Sequence, residues 1–450
     1  MSANEVRLDF SDAIPELMCQ RFSEDALALR FTGRHADDLR YVAKWGRWMH
    51  FDGSCWREDS TLKVFDRARL ICREAGDEAI SRPSLVRQLL ASNTIAAIER
   101  LARSDPRTAA TTDQWDADLW LLNTPGGVVN LRTGELRPAN RENYCTKMTA
   151  VAPGGECPLW LKFLDRVTDS DSDLAAFLQR ICGYSLTGST REEALFFLYG
   201  TGANGKSKFL GAISGMLGSY ARTAPVETFL ATHGEHHPTD LAGLQGARLV
   251  SSIETEDGRR WAESKIKALT GGDTISARFM RQDFFDFVPA FKLVIAGNHK
   301  PSIRSVDEAI RRRFHLVPFT VTIPESERDG NLAEKLREEW PGILRWAVEG
   351  CLAWQREGLR APDAVKDATA EYMADEDAFA QWIDERCTLE LKRSAQSSAL
   401  YVDYCHWCEE SQEKAMASRK FSPELERRGF RKEATMVGKI FHGIALKRGL

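Results

Sequence analysis

Residues 194–210 read ALFFLYGTGANGKSKFL, a stretch with few structural options. Leu195, Phe196, Phe197, Leu198 and Tyr199 form an apolar run of strand length and strand residue types, which predicts a buried strand. The run stops at a glycine, and Gly200-Thr201-Gly202-Ala203-Asn204-Gly205-Lys206-Ser207 fits the phosphate-loop spacing G-x-x-x-x-G-K-[ST]. Phe209, Leu210, Ile213, Met216 and Leu217 then recur at helical spacing. Strand, glycine loop and helix in this order make a phosphate cradle. Glycines let backbone N–H groups converge on an anion, and the helix N-terminus adds partial positive charge. Lys206 is placed to neutralise β- and γ-phosphates, and the Ser207 hydroxyl to ligate Mg²⁺. The expected ligand is a nucleoside triphosphate.

The rest of the chain sets limits on that reading. Its 450 residues accommodate about three domains, and 43% hydrophobic content supplies ordinary cores. A net charge of −4 excludes a protein that coats nucleic acid by bulk positive charge, so any nucleic-acid surface is local. No apolar run approaches the ~18 residues of a membrane span, and no basic-then-apolar leader opens the chain. A cytoplasmic location without a membrane partner is expected. Ten cysteines without repeating spacing fit reduced thiols. Cys405 and Cys408 form a C-x-x-C, but no second pair follows to complete a structural zinc site.

Residues 1–38 alternate acidic and apolar positions and define no element. Tyr41, Trp45, Trp48, Phe51 and Trp56 then crowd a segment broken by the turn dipeptide Asp52-Gly53. The burial habits of Trp favour a small core here over a base-stacking platform. Helical periodicity over 62–104 and short strands over 120–134 extend this into a mixed α+β domain, closed by Pro153-Gly154-Gly155 and Pro158.

Beyond the glycine loop, a second apolar run, Leu249 through Ile253, ends in Glu254-Thr255-Glu256. Period-two alternation puts Glu254 and Glu256 on one face if the strand continues. Nucleotide hydrolysis requires a carboxylate near the metal and a group that orients the attacking water, and this pair fits. Residues 274–287 predict a hairpin with a polar, basic tip around Arg281. A third buried strand, 291–296, stops at Gly297-Asn298, where a polar side chain can touch the γ-phosphate. Arg311, Arg312 and Arg313 precede a further strand over 315–320. Over 413–450, ten Lys and Arg stand against four Asp and Glu, in a chain otherwise acidic.

The ordered set GTGANGKS, ETE, KALTGGD, IAGNHKP and DEAIRRRFHLVPF resembles superfamily 3 helicases. The resemblance is to the helicase portion of the phage/plasmid primase family, which includes the poxvirus-type primase-helicases. WLLNTPGGVVNLRTGEL resembles the domain that precedes the helicase there, and the basic tail its winged-helix domain. The resemblance implies an α/β, AAA+-like P-loop core that hydrolyses ATP with Mg²⁺, working on DNA as a homo-oligomeric ring, usually a hexamer. It implies boundaries at 1–38 (undefined), 39–155 (α+β domain), 156–192 (helical lead-in), 193–350 (ATPase core), 351–392 (helical connector) and 393–450 (winged helix).

Carried over by position, the resemblance implies that Gly200 to Ser207 hold nucleotide, with Ser207 and Glu254 at the metal. Glu254 and Glu256 divide metal and water duties in either order, and Asn298 is the sensor. Arg312 or Arg313 is the finger offered to a neighbouring subunit, Arg311 being the weaker match. Arg278, Arg281 and Gln282 form the DNA-gripping hairpin, with Gln282 where the family commonly has Lys. Arg427, Arg428 and Lys432 contact DNA from the tail. Full-length relatives often carry an N-terminal primase. About 38 residues before the α+β domain are too few for a polymerase fold, so primer synthesis is expected from a separate primase. A reading from another class, a P-loop NTPase switch without unwinding, differs in needing no DNA-gripping hairpin and no basic tail.

Overall fold

A computed structural model describes residues 21–231, 239–253, 259–281, 283–303, 306–411, 415–435 and 438–447. A helix over Glu24–His35 opens the described chain, inside the stretch whose sequence defines no element. The Ser23 hydroxyl caps it by accepting from Ala26 N, Glu24 and Asp25 occupy its first turn, and Leu27, Ala28 and Phe31 are buried. Its polar face is tied to the helix Lys63–Glu78 through Arg30–Glu78 (2.7 Å) and Arg34–Glu74 (2.8 Å). Strands Leu39–Val42, Arg47–Phe51 and Trp56–Glu58 form an antiparallel meander, with Ala109–Ala110 added in parallel. Trp48 and Trp56 are buried, so the aromatic segment is a core.

Strands Leu121–Thr124, Gly127–Asn130 and Glu135–Arg137 make a separate small sheet. Its Leu122 and Val129, with Leu131, pack into the core of the central unit. That unit is built on five parallel strands: β1 (Leu195–Tyr199), β2 (Ala221–Thr223), β3 (Leu249–Ile253), β4 (Lys292–Gly297) and β5 (Phe314–Pro318). Their spatial order is β5-β1-β4-β3-β2. Both faces of the sheet are covered, which is why the central strands read as unbroken apolar runs. Alternation along β1 sorts its side chains: Phe196 and Leu198 enter one core, Leu195 and Phe197 the other.

The first core is closed by helices α1 (Ser172–Leu186), α2 (Lys206–Leu217) and α4 (Trp340–Glu357), with the short helix α3 (Glu308–Arg311) leading into β5. Helices α1 and α4 cross so closely that a Cβ on Gly350 would sit 2.2 Å from the Gln179 carbonyl oxygen. The tail packs three helices, Ala378–Arg386, Ser397–Glu410 and Ser418–Arg427, against strands Ser394–Gln396, Gly438–His442 and Arg431–Thr435 in that spatial order. Phe379 and Trp382 belong to this core, together with Tyr404 and Phe421, so the tail's packing begins ahead of residue 393. Among the described residues, no helix is long and apolar enough to cross a membrane.

Candidate nucleotide and nucleic-acid sites

The carboxyl end of β1 runs directly into the glycine loop. A Cβ on Gly200 would lie 2.0 Å from the Phe319 carbonyl oxygen, so only glycine lets the loop pass the segment following β5. Phe319 N donates to Tyr199 O (2.8 Å), Asn204 Nδ2 to Phe319 O (2.8 Å) and Ile323 N to Ala203 O (2.9 Å). The loop is thereby clamped on one side. Gly202, Ala203 and Gly205 all adopt positive φ, and Thr201, Ala203 and Ser207 are exposed.

Lys206 begins α2 and is buried. Its ammonium donates to Gly200 O (2.7 Å), Asn204 Oδ1 (3.0 Å) and Asn298 Oδ1 (3.2 Å). Burial pulls its pKa below the ordinary lysine value, since water no longer supports the charge. Asn298 reaches it because Gly297 pairs in register with Tyr199, so the turn after β4 lies beside the loop. Lys206 and Asn298, 92 residues apart, meet at one point. Glu254, Glu256 and Gln282 lie outside the described residues.

The arginine triplet sits at the opposite end of the sheet. Leu195 N donates to Arg313 O (2.7 Å), and Phe314 pairs with Leu195. Arg312 is exposed, and its Nη2 donates to Glu193 Oε2 (2.7 Å). Arg313 is turned inward: it is buried and donates to Thr270 Oγ1 (3.2 Å) and Ala309 O (2.8 Å), with Nη2 2.5 Å from the same Glu193 oxygen. Identical neighbours in sequence thus have different surroundings. Arg311 contacts Asp377 (3.4 Å), the N-cap of the tail's first helix.

Strands Ile275–Ala277 and Phe285–Phe287 pair as an antiparallel hairpin. Its tip is aromatic as well as basic. Phe279, Met280 and Phe284 are exposed, and the Arg278 guanidinium lies 4.7 Å from the Phe284 ring centroid. In the tail, the expected DNA-contacting cations are paired within the chain: Arg427 with Glu424 (2.5 Å), Lys432 with Glu426 (2.5 Å), and Arg428 with Asp377 (2.5 Å) and Glu424 (2.8 Å). Arg428 is also mostly covered, whereas Arg431 is 77% exposed.

Sequence reasoning missed three residues. Glu193 gathers two arginines, but in sequence it is one acidic residue beside another. Arg248 and Lys292 are buried cations at the amino ends of β3 and β4. Arg248 donates to Leu186 O (2.6 Å) and Leu121 O (2.7 Å), and Lys292 to Thr187 O and Ser189 O. Together they hold the Leu186, Thr187 and Ser189 carbonyls at the C-terminus of α1, and Arg248 ties in the small sheet through Leu121. Burial, with Arg248 adding to it, drives the Lys292 pKa well below the ordinary lysine value. The one available signal was a Lys opening an otherwise apolar strand.

Comparison with known proteins gives these sites a context. The family model described as D5 N terminal like matches residues 28–169. A family described as of unknown function matches residues 198–313, which hold the glycine loop, the hairpin and the arginines. A helicase-named protein of Acanthamoeba polyphaga mimivirus, L207/L206, is 26% identical over 297 residues, covering 60% of this chain and 31% of that protein. A second, 022R of Frog virus 3 (isolate Goorha), is 24% identical over 261 residues, covering 53% of this chain and 26% of that protein. Over these stretches the chain is similar to phage and viral primase-helicase proteins. It spans between about a quarter and a third of the length of these helicase-named proteins. In fold it is similar to the apo NrS-1 C-terminal region, with a TM-score of 0.50 at 9% identity, covering 93% of this chain and 99% of that one. A second apo structure of that region gives the same TM-score, covering 94% and 100%.

Proposed function

We propose that the chain is an ATP-dependent DNA helicase whose active site is completed by a neighbouring copy. What carries the reading is the placement of two groups at opposite ends of one sheet. Lys206 and Asn298 meet at the carboxyl end of β1, while Arg312 stands at its amino end. The five residues of β1 between them span about 16 Å at ~3.3 Å per residue, farther than an arginine side chain reaches. Arg312 therefore cannot serve its own glycine loop and is available to another's. The strand order β5-β1-β4-β3-β2, with a glycine loop after β1 and a polar residue ending β4, supports an AAA+-like P-loop core.

The loop suits ATP with Mg²⁺. Its positive-φ residues and the amino end of α2 surround the cradle, Gly200 admits no side chain, and Lys206 supplies the cation. Ser207 and Glu254 would hold the metal, which supplies charge neutralisation between phosphates. Glu256 would orient water and Asn298 would sense the terminal phosphate. The hairpin at 275–287 and a tail with the helix-then-hairpin order of a winged helix would contact DNA.

Mg²⁺-dependent ATP turnover with and without forked DNA tests the proposal, alongside strand separation. Wild type should hydrolyse ATP faster with DNA and separate the strands, and Lys206→Ala should lose turnover by roughly 10²-fold or more. ATP turnover without strand separation, at any salt, would favour the switch reading.

A further inference from the structure

We propose that Glu193 is a positioning residue that presents Arg312 to the neighbouring subunit's nucleotide; this rests on the shared-site reading above. Glu193 adopts the left-handed conformation, φ +50°, which residues with a Cβ rarely take. Its N–H donates to Thr190 O (2.9 Å), and two residues later the chain enters β1. The carboxylate is therefore mounted just ahead of a strand that is paired on both sides. From behind, buried Arg313 approaches Oε2 at 2.5 Å and is itself held by Thr270 and Ala309. In front, Arg312 donates Nη2 to the same oxygen at 2.7 Å.

Only Nη2 is committed in this way. A guanidinium has five N–H donors, and among the described residues Nε and Nη1 of Arg312 have no partner. Arg312 is 57% exposed while its terminal nitrogen is tied down. An exposed ion pair contributes little to stability, so the contact's consequence is geometric. It removes rotamer freedom from a long, exposed side chain and leaves its remaining donors for an anionic group on another subunit. Arg313 is the brace and Arg312 the presented group, with Glu193 joining them.

The test uses the full chain and three variants, Glu193→Gln, Arg312→Ala and Lys206→Ala, alone and mixed in pairs under exchange. Glu193→Gln keeps an acceptor oxygen but loses the charge. Its turnover should fall roughly 10- to 100-fold, with KM for ATP within about twofold, since misplacing a catalytic group costs rate more than binding. Mixing it with Lys206→Ala should restore hydrolysis, because an intact glycine loop then faces an intact, intact-braced finger. Mixing it with Arg312→Ala should restore none, because every finger in that mixture is defective. Rescue in this second mixture would place Glu193's effect on its own subunit's loop and overturn the proposal, as would wild-type turnover of Glu193→Gln. The Arg312→Ala with Lys206→Ala mixture reports on the underlying reading: absence of rescue there removes the shared site itself. If the Gln variant does not fold, Glu193→Asp retains the charge beside Arg313 but is one methylene too short to hold both arginines, and should give the same pattern.

Discussion

Arg312 and Arg313 are adjacent in sequence, yet their removal should differ sharply in its effect on stability. Arg313 is 7% exposed at its side chain and satisfies Thr270 Oγ1, Ala309 O and Glu193 at once. Deleting one member of a buried pair costs ~3–5 kcal/mol, discounted here to about 2–3 because Glu193 is itself 31% exposed to water. At roughly 2–4 °C per kcal/mol for a unit of this size, Arg313→Ala should melt about 5–10 °C below wild type. Arg312 is 57% exposed, and losing an exposed pair costs at most about 1 kcal/mol, or no more than roughly 4 °C. Its effect should fall on hydrolysis instead, where an arginine supplied in trans is worth roughly 10³–10⁵ in rate. Thermal melting and steady-state ATPase, run on both variants, separate the two roles. Arg312→Ala retaining turnover within about tenfold of wild type, or Arg313→Ala melting with wild type, would refute the division drawn from their burial.

Three further outcomes are expected. Between 278 and 286 two arginines are offset by two aspartates, while Phe279, Met280 and Phe284 are exposed, so the hairpin should grip bases more than phosphates. Phe284→Ala should weaken oligo-dT binding by about 1–3 kcal/mol with an unchanged salt slope, and equal weakening on an abasic strand would contradict this. Truncating the chain near 392 would strip cover from Phe379 and Trp382, so the tail is better tested by Arg431→Glu with Lys439→Glu, both exposed. That double variant should flatten the salt dependence of DNA binding by at least about two charges without changing DNA-free ATPase. Finally, burial between Phe177 and Phe196 pushes the His315 imidazole down to about 4, Glu192 opposing weakly. The unfolded chain takes up the proton first, so this site costs nothing above pH ~6.5 and removes up to roughly 3 kcal/mol as pH falls towards 4. Urea melts at pH 7.5 and 5 should show about 2 kcal/mol of that loss in wild type and a smaller one in His315→Gln.

What could be read from the sequence was whatever local pattern determines. The strand before Gly200 announces itself because both its faces are covered, which forces every residue of β1 to be apolar or aromatic. Asn298 was found by the same logic, as the polar residue ending another such run. Helix Glu24–His35 was not legible, because Arg30 and Arg34 are matched to Glu74 and Glu78, some forty residues away. Its charge therefore looks like solvated alternation until the partner helix is in place. The sheet over 121–137 reads as turn-rich strands, but nothing in its own residues says that Leu122 and Val129 pack with α1 and α4 rather than with the preceding tryptophans. The arginine triplet hides its asymmetry for a related reason. Burial of Arg313 follows from the register of β5 against β1, a long-range fact.

The three residues that escaped detection share a location with Arg313, and that location bears on how copies of the chain would meet. Glu193 precedes β1, Arg248 precedes β3, Lys292 opens β4 and Arg313 precedes β5. All four lie at the amino ends of parallel strands, and all are engaged in pairs or carbonyl contacts. The carboxyl ends carry Lys206 and Asn298. One end of the sheet thus holds the ligand-facing groups and the other a braced cationic edge. In the proposed assembly the braced edge of one copy meets the ligand-facing edge of the next. Such a contact joins two different surfaces, so it is heterologous, and a heterologous contact cannot terminate in a two-fold dimer. It either closes into a ring or extends into a filament. A site that depends on Arg312 from the next copy is completed at every contact and can be complete in every subunit only if the ring closes, so ATPase per subunit should rise with assembly and reach its maximum in closed rings. Light scattering run beside ATPase across a concentration series measures both. Full turnover per subunit in a dilute monomer would break the argument at its first step.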